Sequence, residues 1–308
     1  MEFLKLLEGL RTPFFDAVFS LITRLGEETV FMAVGMIILW CMDKKWGFRF
    51  FVIGLVGNAV NQLLKAIFTI PRPWLLDEKF TIVESARSAA TGYSFPSGHT
   101  SSAVTVFGSI AAWQKNRRVT WSAVVLIVAT AFSRMYLGVH TPLDVGVSLL
   151  AGSMVVIGFS LLFNATDTSR KAKYWIAAGV TALCMALLFY VLFAPATPTN
   201  VAEFDLHAVK NAWTLLGTAL GLFLSWWVNQ RHTHFEVKAV WWAQALKLAL
   251  GLGLIVALRA GLKALFGALF GEIMPLHALR YFLMTVAGGI LWPMTFPYFS
   301  KLGVKKND

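Results

Sequence analysis

"FFVIGLVGNAVNQLLKAIFTIPRP" occupies residues 50–73. Up to Phe68 it holds a single ionisable side chain, Lys65. At a rise of about 1.5 Å per residue the run is long enough to cross a hydrocarbon layer about 30 Å thick, so it reads as a membrane-spanning helix. Asn58, Asn61 and Lys65 are spaced three and four apart, which puts them on one helical face. An ionisable group at the centre of a span costs about 2.5–3.5 kcal/mol on insertion scales. That face is therefore expected to point inward, with Lys65 near the outer end. Pro71 and Pro73 stop the helix and leave Arg72 in an extended segment. Taken alone, Lys65 could simply snorkel and Arg72 belong to a turn.

The rest of the chain extends the pattern. Of 308 residues 57% are hydrophobic and only 14% charged, more apolar surface than a soluble core can hide. Apolar windows recur near 28–42, 47–68, 98–113, 119–138, 142–163, 173–194, 207–229, 242–262 and 276–298. The expected fold class is all-α, a polytopic transmembrane helical bundle of about nine spans. Residues 1–26 mix Lys5, Glu8, Arg11, Asp16 and Arg24 with Leu and Phe, and read as a preceding interfacial amphipathic helix. The polar connector "NATDTSRKAK", 164–173, suggests a division into 1–163 and 164–308.

Charge orients these spans. Lys44, Lys45 and Arg49, then Lys115, Arg117 and Arg118, then Arg170, Lys171 and Lys173 fall in alternate loops, joined by Arg231, Lys238, Lys301, Lys305 and Lys306. By the positive-inside rule that side is cytoplasmic, and loops 69–97, 139–141, 195–206 and 263–275 are extracytoplasmic. The net charge of +11 is then a topological signal in a multi-pass protein of the cell membrane, and nucleic acid is not an expected partner. Cys41 and Cys184 lie in apolar runs and read as packing. Trp40, Trp46, Trp74, Trp113 and Trp292 lie near span boundaries and read as interface anchors.

Two further stretches meet Lys65 and Arg72 on the outer side. In "PSGHTSSA", 96–103, Ser97 can cap a helix and Gly98 permits close backbone approach, while the free N–H groups of the first turn favour an anion. A capped helix start accounts for Pro96, Ser97 and Gly98 but not for the titratable His99. In "SRMYLGVHTPLD", 133–144, Thr141, Pro142 and Asp144 make a capping box, and Asp144 also stands four residues after His140, where a carboxylate can fix an imidazole tautomer. The two readings of Asp144 are compatible. Arg134 adds a third cation to Lys65 and Arg72. Three such charges repel one another unless an anion joins them, and a phosphoryl group fits that demand.

The stretches "KAIFTIPRP" (65–73), "PSGH" (96–99) and "SRMYLGVHTPLD" (133–144) together resemble the three-part signature of the type 2 phosphatidic acid phosphatase superfamily, over roughly residues 13–163. The resemblance implies His140 as the nucleophile that forms a phosphohistidine, Asp144 as the group orienting its ring, and His99 as the acid for the leaving oxygen. Lys65, Arg72, Ser97, Gly98 and Arg134 would hold the equatorial phosphate oxygens. It implies a hydrolase without cofactor or metal, acting on a lipid phosphate whose tail stays in the bilayer. Phosphatidate-like lipids and polyprenyl phosphates or diphosphates, such as undecaprenyl diphosphate, fit an outward-facing site. Phosphatases of soluble sugar phosphates share the signature. Phosphotransfer from lipid to lipid, and a lipid transporter with a vestigial site, also compete with lipid phosphate hydrolysis. The sequence sets no oligomeric state.

Other groups carry less. Arg259 and Lys263 could hold a second phosphate or a sugar, or snorkel. "RHTHFE" (231–236) alternates His232, His234 and Glu236 in a metal-like pattern without a further ligand nearby. His207 and His277 are single residues near span ends, for which solvation or a local hydrogen bond suffices.

Overall fold

A computed structural model describes residues 1–166, 169–195, 199, 201–233 and 235–302; all regular structure among them is helical. The α-helices are α1 (Glu2–Gly9), α2 (Pro13–Thr23), α3 (Glu28–Ile37), α4 (Lys44–Phe68), α5 (Pro73–Leu76), α6 (Gly98–Gln114) and α7 (Arg117–Tyr136). They continue with α8 (Pro142–Thr166), α9 (Arg170–Phe193), α10 (Ala202–Val228), α11 (Trp241–Phe270), α12 (Leu276–Val286) and α13 (Phe296–Lys301). Among the described residues six helical stretches are long and apolar enough to cross a membrane, or seven if the pair Pro13–Gly26 and Glu28–Met42, bent by 50°, is one span. Two stretches expected as spans fall outside this set: α6, with 17 residues, and α10.

The first 26 residues do not form one helix. Thr12 is extended and its Oγ1 accepts from Phe15 N at 3.4 Å, while Pro13 takes the first position of α2, so the chain restarts there. Their charges turn to protein partners. Lys5 pairs with Asp77 at 2.9 Å, Glu8 accepts from Thr81 N at 2.9 Å, and Arg11 donates to Tyr136 O at 3.1 Å and Thr81 O at 2.8 Å.

Two compact units are present. The first comprises Met1–Phe31, Ile53–Arg170 and Ala186–Ala212, and the second Met32–Val52, Lys171–Met185 and the residues from Trp213 onward. In the first, α6 packs against both α7 and α8, and α2 against α7. Small residues permit these approaches: a Cβ added at Gly152 would stand 3.0 Å from Val104 Cγ1, and one at Gly57 only 2.5 Å from Thr105 Cγ2. The turn Arg24–Gly26 seats on α6, where a Cβ on Gly26 would lie 2.5 Å from the backbone oxygen of His99.

In the second unit Trp40 is wholly buried, donates to Gly288 O at 2.9 Å and packs against Trp292 and Phe296. It is a core residue and not an interface anchor. Lys247, which the hydropathy pattern did not single out, is also buried, donating to Val237 O at 3.0 Å above the Phe296 ring. Cys184 is buried and Cys41 half-buried, both as free thiols.

Because Gly26 abuts the first turn of α6, Gly26→Ala is expected to cost about 1–3 kcal/mol through overpacking. Thermal unfolding in detergent should show the drop, while Gly253→Ala, where a Cβ meets nothing within 4 Å inside a helix, should not lower the midpoint.

Candidate active site

Lys65 lies in the last turn of α4, 6% exposed, and its ammonium donates to Tyr93 O and, at 3.4 Å, to Ser94 O. Asn61, one turn earlier, is likewise buried and donates to Ser97 O at 3.4 Å. Asn58 departs from the expected inward face: it is exposed and accepts from Gln62 at 3.4 Å. Arg72, extended ahead of the Pro73 helix start, is 2% exposed. Its Nε donates to Gly92 O at 2.8 Å, one terminal nitrogen to Thr91 O at 2.8 Å, and the other to Val139 O at 3.0 Å, standing also 3.0 Å from His140 Nε2.

His140 and Asp144 are each 1% exposed. Asp144 serves both expected roles. Its Oδ2 accepts from Thr141 N at 2.7 Å while Thr141 Oγ1 accepts from Asp144 N at 3.3 Å, a reciprocal cap, and the same Oδ2 stands 3.5 Å from His140 Nδ1. Ser94, absent from the sequence reading as a site residue, donates to Asp144 Oδ2 at 2.6 Å and lies 3.5 Å from His140 Nδ1. A hydroxyl two residues before Pro96 was the available signal, though turn residues of that kind are common. With Arg72 at Nε2 and Asp144 at Nδ1, the arrangement suits the tautomer that carries its proton on Nδ1. His140 sits in the turn between α7 and α8, outside either span. Burial first, then the charges of Arg72, Arg134 and Lys65, push its imidazole well below the ordinary value, which favours the neutral ring.

Ser97 is fully buried and caps α6, its Oγ accepting from Thr100 N at 3.4 Å. Its own N–H donates to Asp144 O at 3.1 Å, and Ser148 donates to its carbonyl at 2.9 Å, so its backbone links α6 to α8. Gly98 and His99 open the helix, where the N–H groups precede the intrahelical ladder. His99 Nε2 is buried without a hydrogen-bond partner among the described residues. Its ring interacts electrostatically with Arg134, His140, Arg72 and Lys65. Arg134 is wholly buried; one terminal nitrogen donates to Thr23 Oγ1 at 2.7 Å, while Nε and NH2 have no partner among the described residues. Glu27 acts on it only through space.

All eight residues picked from the sequence thus lie in the first unit, around one buried neighbourhood. Of the other candidates, His207 falls in the first unit, and Arg259, Lys263, His277, His232 and Glu236 in the second. Arg259 and Lys263 are exposed on α11, and His277 Nδ1 faces Arg280 at 3.0 Å. His232 and Glu236 are exposed, and His234 lies outside the described residues. No three His, Cys, Asp or Glu side chains cluster as a metal site among the described residues.

Two family matches cover most of the chain: the PAP2 superfamily over residues 46–168, and the transmembrane extension of PAP2 superfamily phosphatases over 213–306. The chain belongs to the PAP2 superfamily. Undecaprenyl-diphosphatase BcrC of Bacillus subtilis is 35% identical over 119 residues, 39% of this chain and 57% of that protein. A probable sphingosine-1-phosphate phosphatase of Dictyostelium discoideum is 27% identical over 73% of this chain and 57% of its own length. An undecaprenyl-diphosphatase of Sulfolobus acidocaldarius is 23% identical over 58% of this chain and 84% of its own length. The chain therefore spans little more than half of the first two relatives. No solved structure matches it.

Arg72→Ala removes donors from the carbonyls of Gly92 and Val139, each of which costs about 1–3 kcal/mol when left buried and unsatisfied, and from the more exposed carbonyl of Thr91. Trypsin cleavage at Lys79 and Arg87 in the flanking loop should accelerate at least about tenfold in the variant, read by mass spectrometry on the purified protein.

Proposed function

We propose that the protein is an integral membrane phosphatase that hydrolyses lipid phosphates or diphosphates at the extracytoplasmic face, through a phosphohistidine and without metal. The observation that carries this is Arg134, a buried guanidinium with two nitrogens unpartnered among the described residues, in the electrostatic field of Arg72 and His99. Three buried cations stand against Asp144 as the buried carboxylate among them. Uncompensated buried charge costs several kcal/mol, and a phosphoryl anion offsets that cost while filling the free donors.

The chemistry follows from His140. Asp144 and Ser94 hold the Nδ1 side, so the Nε2 lone pair attacks phosphorus in line as the bond to the leaving oxygen breaks. Arg72, now at Nε2, turns its terminal nitrogen to a phosphate oxygen when substrate enters. His99 gives its proton to the leaving oxygen and then takes one from water, whose oxygen attacks the phosphohistidine and releases phosphate and neutral His140. Lys65, Arg72 and Arg134 balance the equatorial oxygens, with Ser97 and the Gly98 backbone at the helix start.

The outward-facing reading takes α6 and α10 as crossings besides the six or seven candidate spans, and the basic loops support it through the positive-inside rule. Residues 1–163 carry the catalytic groups and 164–308 the additional helices. The undecaprenyl-diphosphatase relatives favour a polyprenyl diphosphate among the possible lipids.

Phosphate release should be measured from a lipid monophosphate, a lipid diphosphate and a sugar phosphate. The lipids should turn over best, His140→Ala should lose at least about 10³-fold in kcat, and EDTA should change the rate less than twofold. Activity that vanishes in EDTA and returns with Mg²⁺ overturns the metal-free reading. Because the His140 ring is held neutral below its ordinary value, the nucleophile survives mild acid. The acid limb of kcat/KM should therefore fall below about pH 6.5, and a limb above that value contradicts the assignment.

A further inference from the structure

The stretch 169–212 falls between the two family matches, yet its second half belongs to the same compact unit as the catalytic residues. It is fastened to the loop that Lys65 and Arg72 hold. The Tyr93 hydroxyl donates to Asp205 Oδ1 at 2.7 Å and accepts from Val201 N at 3.0 Å, and its ring stands edge-on to Phe204 with centroids 5.3 Å apart. Thr69 and Thr199 share a hydroxyl hydrogen bond of 2.7 Å. Burial and Asp205 raise the Tyr93 phenol to about 12, so it stays a proton donor across the neutral range.

This strap sets the position of His207, one half-turn further along α10 than Asp205. The half-buried imidazole packs on Gly92, where an added Cβ would lie 3.3 Å from His207 Cδ2. Gly92 is the residue whose carbonyl accepts from Arg72 Nε, and its φ of +68° leaves the ring and the guanidinium against the same tight turn. The charges acting on the His207 ring are all cationic: Lys210, Lys65 and Arg72. The nearby carboxylates on α10 are Asp205, engaged by Tyr93, and Glu203, exposed in the first turn.

We propose that His207, with Lys210 one turn beyond it, binds the second phosphoryl group of a diphosphate substrate. Lys65, Arg72 and Arg134 hold the phosphoryl group that is transferred; a neighbouring group in the same positive field is best matched by a second anion joined to the first. An imidazole N–H can donate to a phosphate oxygen, and the exposed Lys210 adds a mobile charge one turn on. This rests on the phosphatase reading above, and makes the site a diphosphatase in preference.

The test compares farnesyl diphosphate with farnesyl monophosphate on the full-length protein in detergent. His207→Ala and Lys210→Met should each lower kcat/KM for the diphosphate about tenfold and change the monophosphate less than twofold. Inhibition by inorganic pyrophosphate should weaken to the same extent while inhibition by orthophosphate holds. Equal losses on the two lipids, or no loss on either, overturn the proposal. Lys210 is exposed, so Lys210→Met decides the matter if His207→Ala does not purify as a folded protein. His140→Ala runs alongside: full activity there would sink the phosphatase reading itself, whereas its loss together with unselective His207 and Lys210 variants would sink only this inference.

Discussion

The buried guanidinium of Arg72 is the constraint on which the site depends. Its nitrogens reach Thr91 and Gly92 on one loop, and Val139 and His140 on another, from a residue fixed between two prolines. Lys65 treats Tyr93 and Ser94 in the same way. The cations therefore assemble the loops before any anion is considered, because buried carbonyls without donors are costly. One consequence is that three short motifs far apart in the chain form one interlocked unit. Another is that His140 is oriented from both sides, by a cation at Nε2 and a carboxylate at Nδ1.

Arg134 shows the opposite economy. Its anchor is a single hydroxyl, that of Thr23 on the segment leading to Gly26, and its other two nitrogens are left without a partner among the described residues. A fold optimised for stability alone would not bury such a group beside two further cations. Donors held rigidly where negative charge develops need no reorganisation during reaction, and this is the main way a site of fixed dipoles and charges lowers a barrier. In the proposed phosphatase, stability is sacrificed at Arg134 for a preorganised anion cradle; the cap, the Gly26 seat and the α6–α8 link are the contacts that hold this region together.

Much of this was legible because the membrane makes polar residues conspicuous. Lys65, Arg72, His99, Arg134, His140 and Asp144 each break an apolar pattern, and each is found in the first unit near the others. Ser94 and Thr23 were not legible, since a small hydroxyl costs little in a turn or a helix and its partner is set only by tertiary contact. Trp40 was misread for a related reason. A tryptophan near a span end has the same sequence signature whether it faces lipid or, as here, donates to Gly288 O inside a helical core. Asn58 shares the periodicity of Asn61 and Lys65, but spacing gives a face and not what covers it.

Composition suggests cutting the chain at the polar connector 164–173, whereas the compact units are assembled from interleaved stretches, with 32–52 in one and 186–212 in the other. The reason lies in loop physics. A loop such as 91–97, rich in Gly, Ser and Pro, has no core of its own and must be held by side chains from outside it. Lys65 and Arg72 supply part of that restraint from before the loop, and Asp205 and Thr199 supply it from after the connector. A segment that matches neither family region can thus shape the site more directly than the helices that follow it, because the loop it fastens carries the acceptors of both cations.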